Sequence, residues 1–149
     1  MRLEFTHETG FSPDELAVMQ DVPFPAARET NNVGREIEFQ GRKVVVEQTY
    51  GSGAEPPSNL WFQKEPYVTV GLTPRDSSLH FRLIEARTES GKDLNSGVYG
   101  GGINGNYCFE LQDFTNAQTL KLTFAMHRSR FVEFRANSSW YPTNQAAAK

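Results

Sequence analysis

The chain holds one cysteine, Cys108, in 149 residues. That excludes an intrachain disulfide and any zinc site built on several thiolates, and it fits either redox compartment. No apolar run approaches the roughly 18 residues that a bilayer-spanning helix needs. The start, Met1-Arg2-Leu3-Glu4-Phe5, meets a charge where the apolar core of a secretory signal would lie. The sequence therefore predicts no membrane insertion, and a chain that is either cytosolic or a mature or excised piece of an exported protein. An excess of one charge is missing too, since 15 Lys and Arg face 18 Asp and Glu. Without a broad basic field, sequence-independent phosphate binding has no support, and nucleic acid is not an expected partner. The three histidines, His7, His80 and His127, lack any short-range metal-ligand spacing. No cofactor is expected.

Aromatic and turn residues are plentiful: 11 Phe, 5 Tyr and 2 Trp, punctuated by 12 Gly and 8 Pro, favour strands over helices. Leu79, Phe81 and Leu83 alternate with His80 and Arg82, and Leu120, Leu122, Phe124 and Met126 alternate with Lys121, Thr123, Ala125 and His127. This period of two marks half-buried strands. Tyr107 to Gln112, Phe131 to Ala136, Glu36 to Gln40, Arg42 to Tyr50 and Pro66 to Leu72 read the same way, with Gly41 as a tight turn or bulge. One helix is signalled, by Ser12-Pro13-Asp14-Glu15, and Pro23 and Pro25 stop it. Residues 51 to 59 and the glycine-rich 94 to 106 read as long loops. Residues 1 to 136 form one domain, in which 1 to 26 also read as the closing hairpin of a preceding similar module. That reading rests on an echo between Arg2-Leu3-Glu4-Phe5 and Lys121-Leu122-Thr123-Phe124. Residues 137 to 149 are a flexible tail.

Chemistry-bearing groups are few. Cys108, His80 and His127 share the polar parity of their strands, but nothing around Cys108 supplies the electropositive setting of a nucleophilic thiol, so no catalytic residue is assigned. Asp93, Asn95, Asn104, Asn106 and Asp113 place oxygen donors around the glycine-rich stretch as calcium candidates. The same residues are also standard turn formers. The run Gly100 to Gly105 lacks the Lys-Ser/Thr ending of a P-loop. Glu85, Glu110 and Glu133 are scattered and form no diagnostic carboxylate pair. Trp61, Tyr67, Tyr99, Trp140 and Tyr141 are the ligand-binding candidates, because exposed rings stack on sugars or bury area against a protein partner.

The segments Gly34-Arg35-Glu36-Ile37-Glu38-Phe39-Gln40-Gly41-Arg42-Lys43-Val44-Val45-Val46, Leu83-Ile84-Glu85-Ala86 leading into Ser90-Gly91-Lys92-Asp93-Leu94, and Thr123-Phe124-Ala125-Met126-His127 leading into Arg130-Phe131-Val132-Glu133-Phe134 resemble the immunoglobulin-like sandwich modules of large exported bacterial proteins. The resemblance covers residues 34 to 136. It implies a non-enzymatic adhesion, scaffold or spacer module, extracellular or at the cell surface, and it transfers no site residues.

The expected fold is an all-β antiparallel β-sandwich of seven to nine strands, immunoglobulin-like or jelly roll, with one short N-terminal helix. Three function classes stay open. The first is a structural or protein-binding module that presents its loops or an edge strand and self-associates in tandem or as an oligomer. The second is a carbohydrate-binding module with a glycan partner, and the third a small hydrolase-type enzyme.

Overall fold

The computed structural model describes residues 2–5, 10–55, 65–103, 106–112, 117–128 and 130–133, and of 2–5, 96–103 and 130–133 it describes the backbone. Ten strands are present among them: β1 (Arg2–Phe5), β2 (Leu16–Pro23), β3 (Thr30–Phe39), β4 (Arg42–Tyr50), β5 (Tyr67–Thr73), β6 (Leu79–Thr88), β7 (Asn95–Ile103), β8 (Asn106–Leu111), β9 (Thr119–Arg128) and β10 (Arg130–Glu133). All pairings are antiparallel. One sheet runs β2-β9-β6, a second β3-β4-β5-β8-β7, and β1 with β10 makes a two-stranded ribbon. Both N-terminal strands thus pair with strands from the C-terminal third of the same chain, Leu3 opposite Val132 and Ala17 opposite Phe124.

Strand parity places the core. Val44 and Val46 of β4, Val68, Val70 and Leu72 of β5, and Phe109 and Leu111 of β8 belong to one buried cluster. Met19 of β2, Phe81 and Leu83 of β6, and Leu122, Phe124 and Met126 of β9 complete it from the other sheet. Two sheets enclosing one apolar layer are consistent with the expected sandwich. Phe81 stacks on Phe124 at 5.2 Å and meets the rings of Phe109 and Tyr107 edge-on, so aromatic contacts tie the sheets together.

Two sequence expectations need correction. The N-terminal helix is a single 3-10 turn, Pro13–Glu15. Its start signal works locally, because the Ser12 amide and hydroxyl both donate to the Glu15 carboxylate, at 3.0 and 3.1 Å. From Leu16 onward, however, Ala17 and Met19 are buried and Val18 between them is exposed. That alternation matches β9, and pairing with a buried strand outweighs a cap worth about 1 kcal/mol. The stretch 94 to 106 is likewise no loop, since most of it is β7, paired with β8. Glycine lacks a side chain to pack but keeps its backbone donor and acceptor, which suffice for a ladder at a sheet edge.

The β3–β4 hairpin closes through Gln40 and Gly41, both at positive φ (51° and 69°) between the paired residues Phe39 and Arg42. This is the twist-matched two-residue turn. A left-handed glutamine is costly, and its side chain offsets the strain. The amide donates to the backbone oxygens of Asp14 (2.8 Å) and Met126 (3.2 Å), fastening the hairpin tip to the 3-10 turn and to the end of β9.

Candidate functional site

The same end of the molecule gathers the β5–β6 connection, the start of β6, the start of β8 and the end of β9. After β5 the chain passes a cis Thr73–Pro74 bond and reaches Asp76. The Asp76 carboxylate accepts from the Ser78 amide (2.9 Å) and hydroxyl (2.6 Å) and from Arg42 Nη2 (3.1 Å), with Arg128 Nη2 at 3.9 Å. The two Ser78 bonds, followed by the Arg128 and Arg42 charges, hold its pKa below the usual carboxylate value. Asp76 is therefore an ionised structural hub that joins the β5–β6 connection to β4 and β9.

Beside this hub lies an open cleft of about 450 Å3, lined by Asp76, Ser77, Leu79, His80, Phe81, Arg82 and Tyr107. It opens along β6, where residues of both parities reach the same space. Tyr107 also lines it, its ring parallel to that of Phe109 and edge-on to Phe81. The Arg75 guanidinium sits 5.2 Å from the Tyr107 ring centroid, a cation–π contact that occupies that face of the ring. The His80 imidazole, part of that lining, stacks on His127 at 5.2 Å across paired positions of β6 and β9. Phe11, at 5.6 Å, also packs on His127, which is 4% exposed.

The sequence candidates fall as follows. Cys108 is wholly buried and opposite Thr69, while its neighbours Phe109 and Leu111 face the core. It therefore lies on the outer side of the five-stranded sheet. His80 and His127 alternate with core residues of β6 and β9 and lie on the outer side of the other sheet. The thickness of two sheets, about 10 Å between their mean planes, separates thiol from imidazoles, and the Cys–His arrangement is not assembled.

The calcium donors do not converge either. Asp93 Oδ1 accepts from the Asn95 amide (3.0 Å) and the Ala86 amide (3.3 Å), and Asn95 Nδ2 donates to the Leu83 oxygen (3.0 Å). Asn95 is paired with Leu111 and Asn106 with Ile103, at opposite ends of the β7–β8 hairpin. The length of β8 puts them about 16 Å apart. Asn104 and Asp113 lie outside the described residues. Among the described residues, no group of three or more His, Cys, Asp or Glu could hold a metal ion.

Of the ligand-binding rings, Tyr67 must be corrected: it is 1% exposed, stacked on Tyr50, and unavailable to a ligand. The cause is parity, because Tyr67 is on the outer side of β5 and that side is itself covered. Tyr99 is on β7 opposite Phe109, and Trp61, Trp140 and Tyr141 lie outside the described residues. Of the candidate loop 51 to 59, the described part is packed down, with Gly51 and Ala54 buried.

Sequence reasoning missed the cleft, because it is assembled from the stretch Asp76 to Arg82 and the distant Tyr107, and neither carries a motif. The only local signal is Arg75-Asp76 placed just after a proline and ahead of an alternating strand. No helix among the described residues is long and apolar enough to cross a membrane. No family model, no curated protein and no solved structure matches the chain.

Proposed function

We propose that the chain is a non-enzymatic β-sandwich module that binds a protein partner through the cleft beside Tyr107, either another copy in an assembly or a different chain. The observation that carries this reading is how the cleft's polar groups are wired. Ser77, His80 and Asp76 supply a hydroxyl, an imidazole and a carboxylate to one concavity, the residue types of a hydrolytic relay. The Asp76 carboxylate, which would be the acid of such a relay, is instead taken up by Ser78 and Arg42. What remains is Phe81, Tyr107 and Arg82 in the lining, with Arg75 over the Tyr107 ring, residue types found at binding hot spots.

The immunoglobulin-like resemblance supports this role only at the level of a two-sheet body. In the constant-type immunoglobulin domain no sheet contains three consecutive strands in a meander, whereas β3-β4-β5 is one here. A module of this architecture takes its function from its surface site and not from its fold.

The reading is tested with chromogenic ester and glycoside substrates, alongside light scattering over a concentration series. The expected result is no turnover above background, with a mass that either grows with concentration or stays monomeric until a partner is added. Turnover that Ser77→Ala or His80→Ala abolishes would overturn it in favour of a hydrolase.

A further inference from the structure

We infer that the cleft beside Tyr107 takes an extended peptide segment as an added strand on the edge of β6, with apolar residues at alternate positions of the segment facing Phe81 and Tyr107. This rests on the binding-module reading and names the partner and its mode of attachment.

Position in the sheet is the first argument. β6 is an edge strand of the β2-β9-β6 sheet. Leu79, His80, Phe81 and Arg82, consecutive and of both parities, line one concavity. Successive side chains point to opposite faces, so it is the edge of a strand, and not either face, that borders a space in this way.

The direction of the backbone groups is the second. Each residue of an antiparallel strand aims its N–H and C=O to the same side, and successive residues alternate. On β6 the side away from β9 is marked by bonds. Thr88 N–H donates to the Lys92 oxygen (2.9 Å), Leu94 N–H to the Ala86 oxygen (2.6 Å) and Asn95 Nδ2 to the Leu83 oxygen (3.0 Å). At the other end, Leu79 N–H donates to the Asp76 oxygen (3.1 Å). Phe81, midway between Leu79 and Leu83, therefore aims its N–H and C=O to that same side. Residues 92 to 95 cover the edge as far as Leu83, and the turn at Asp76 holds its start. Among the described residues no strand pairs with the interval between them. Phe81 is 3% exposed, and a backbone group shielded from water is costly to leave unpaired. A segment laid antiparallel there exchanges two bonds with Phe81 and adds one each at the Leu79 oxygen and the Leu83 N–H.

The fit of the occupant is the third. From Leu79 to Leu83 the edge runs about 14 Å, the reach of about five extended residues. A residue opposite Phe81 carries its side chain on the same side of the sheet as Phe81, where the Tyr107 ring stands edge-on to Phe81. An apolar side chain suits that place. A second copy of the chain fits less well. Twofold pairing about Phe81 would set Asn95 of each copy, docked on Leu83, against the Asp76–Ser78 turn of the other, whereas a single segment ends before both. This is recognition by strand addition, in which the backbone gives affinity and alternate side chains give specificity.

The probe is the heptapeptide Thr-Val-Thr-Val-Thr-Val-Thr, titrated into the isotope-labelled full chain and followed by amide chemical shifts and hydrogen exchange. It is expected to bind, with shifts and slowed exchange at the Phe81 and Leu83 amides, which face the added strand. The His80 and Arg82 amides, which face β9, should gain no protection. N-methylation of the valine amides should weaken binding by at least about tenfold, because the valines that face the cleft also turn their N–H groups to β6. The same change at the inner threonines, whose N–H groups point away, should alter it less than about twofold. Tyr107→Ala, at an unchanged melting temperature, should weaken binding by about fivefold. The peptide comparisons need no variant, so they decide the matter even where Tyr107→Ala does not fold. Silence of the heptapeptide up to millimolar concentration overturns the inference, as does an equal loss on valine and threonine methylation. Concentration-dependent protection of the Phe81 amide without peptide gives the edge to a second copy and overturns the peptide class. None of these outcomes touches the non-enzymatic reading, which fails only on turnover.

Discussion

The rings of Tyr50 and Tyr67 stack 4.0 Å apart and 14° from parallel, on the outer side of the five-stranded sheet. The Tyr50 hydroxyl donates to Gln48 Oε1. The Tyr67 hydroxyl is buried with no hydrogen-bond partner among the described residues. Burial first, and the adjoining Tyr50 phenol second, push its pKa above the ordinary tyrosine value. Tyr67 is therefore neutral at physiological pH, a packing group whose polar atom opposes folding.

Replacing Tyr67 by Phe should leave stability at neutral pH unchanged or raise it by about 1 kcal/mol, because an unsatisfied hydroxyl is removed and the ring is kept. The pH dependence follows from the direction of the shift. The folded pKa lies above the unfolded value of about 10, so the Tyr67 contribution is fully present below pH 10. It is lost as pH rises from there through the folded pKa. Urea midpoints measured from pH 8 to 11 should fall less steeply in Tyr67→Phe than in the parent chain. A neutral-pH loss above 1 kcal/mol would contradict the account.

At Gly51, an added Cβ would lie 2.0 Å from the Ala26 backbone oxygen and 2.8 Å from its carbonyl carbon. Backbone, not a flexible side chain, is in the way. The Gly51 amide also donates to the Glu29 oxygen (2.9 Å), so the two segments cannot part freely. Gly51→Ala should cost about 2–3 kcal/mol in a denaturant titration. Gly53→Ala is strained for a different reason, its positive φ of 71°, with no close backbone contact, and should cost about 1 kcal/mol.

Asp76 governs the acid limb. Its folded pKa is depressed by Ser78 first and by the arginine charges after. Its contribution is present above the unfolded value near 4 and is lost as pH falls through the folded pKa. Asp76→Asn should flatten the stability–pH curve below pH 4 and raise hydrogen exchange at the Ser78 amide. Unchanged exchange there would remove Asp76 as the organiser of the cleft rim.

Phe124 is fully buried and stacks on Phe81. Phe124→Ala should cost about 3–5 kcal/mol, from lost transfer energy and a residual cavity. Val18, on the exposed side of β2, should tolerate Val18→Thr within about 0.5 kcal/mol. Thermal melts of both variants check the buried place of Phe124 on β9 and the exposed place of Val18 on β2. A helix from Ser12 to Asp21 would turn its faces every third or fourth residue instead.

The all-β class was legible because alternation is a property of the backbone pleat itself. Leu79, Phe81 and Leu83, and Leu120 to Met126, announce their buried side without knowledge of any partner, and β6 and β9 carry them. Gly41 announces its turn for an equally local reason, the positive φ that an L side chain resists. The cap at Ser12 was also read as it stands, yet the helix it signalled gave way to β2. A cap decides three or four residues, and pairing with β9 decides the next eight.

Parity says that Cys108 and His80 each leave the core, but not that they leave it on opposite sides of the molecule. That depends on which sheet each strand joins, and strand order is settled by long-range pairing. The cleft is the extreme case. Its lining joins the stretch Asp76 to Arg82 to the distant Tyr107, and Asp76 is held by Arg42, 34 positions away, so no short stretch encodes the concavity. The sequence alone determined the pleated, alternating strands, because those follow from each residue's immediate neighbours. Only the tertiary structure decided which polar groups meet, because packing brings distant strands to the same end of the fold.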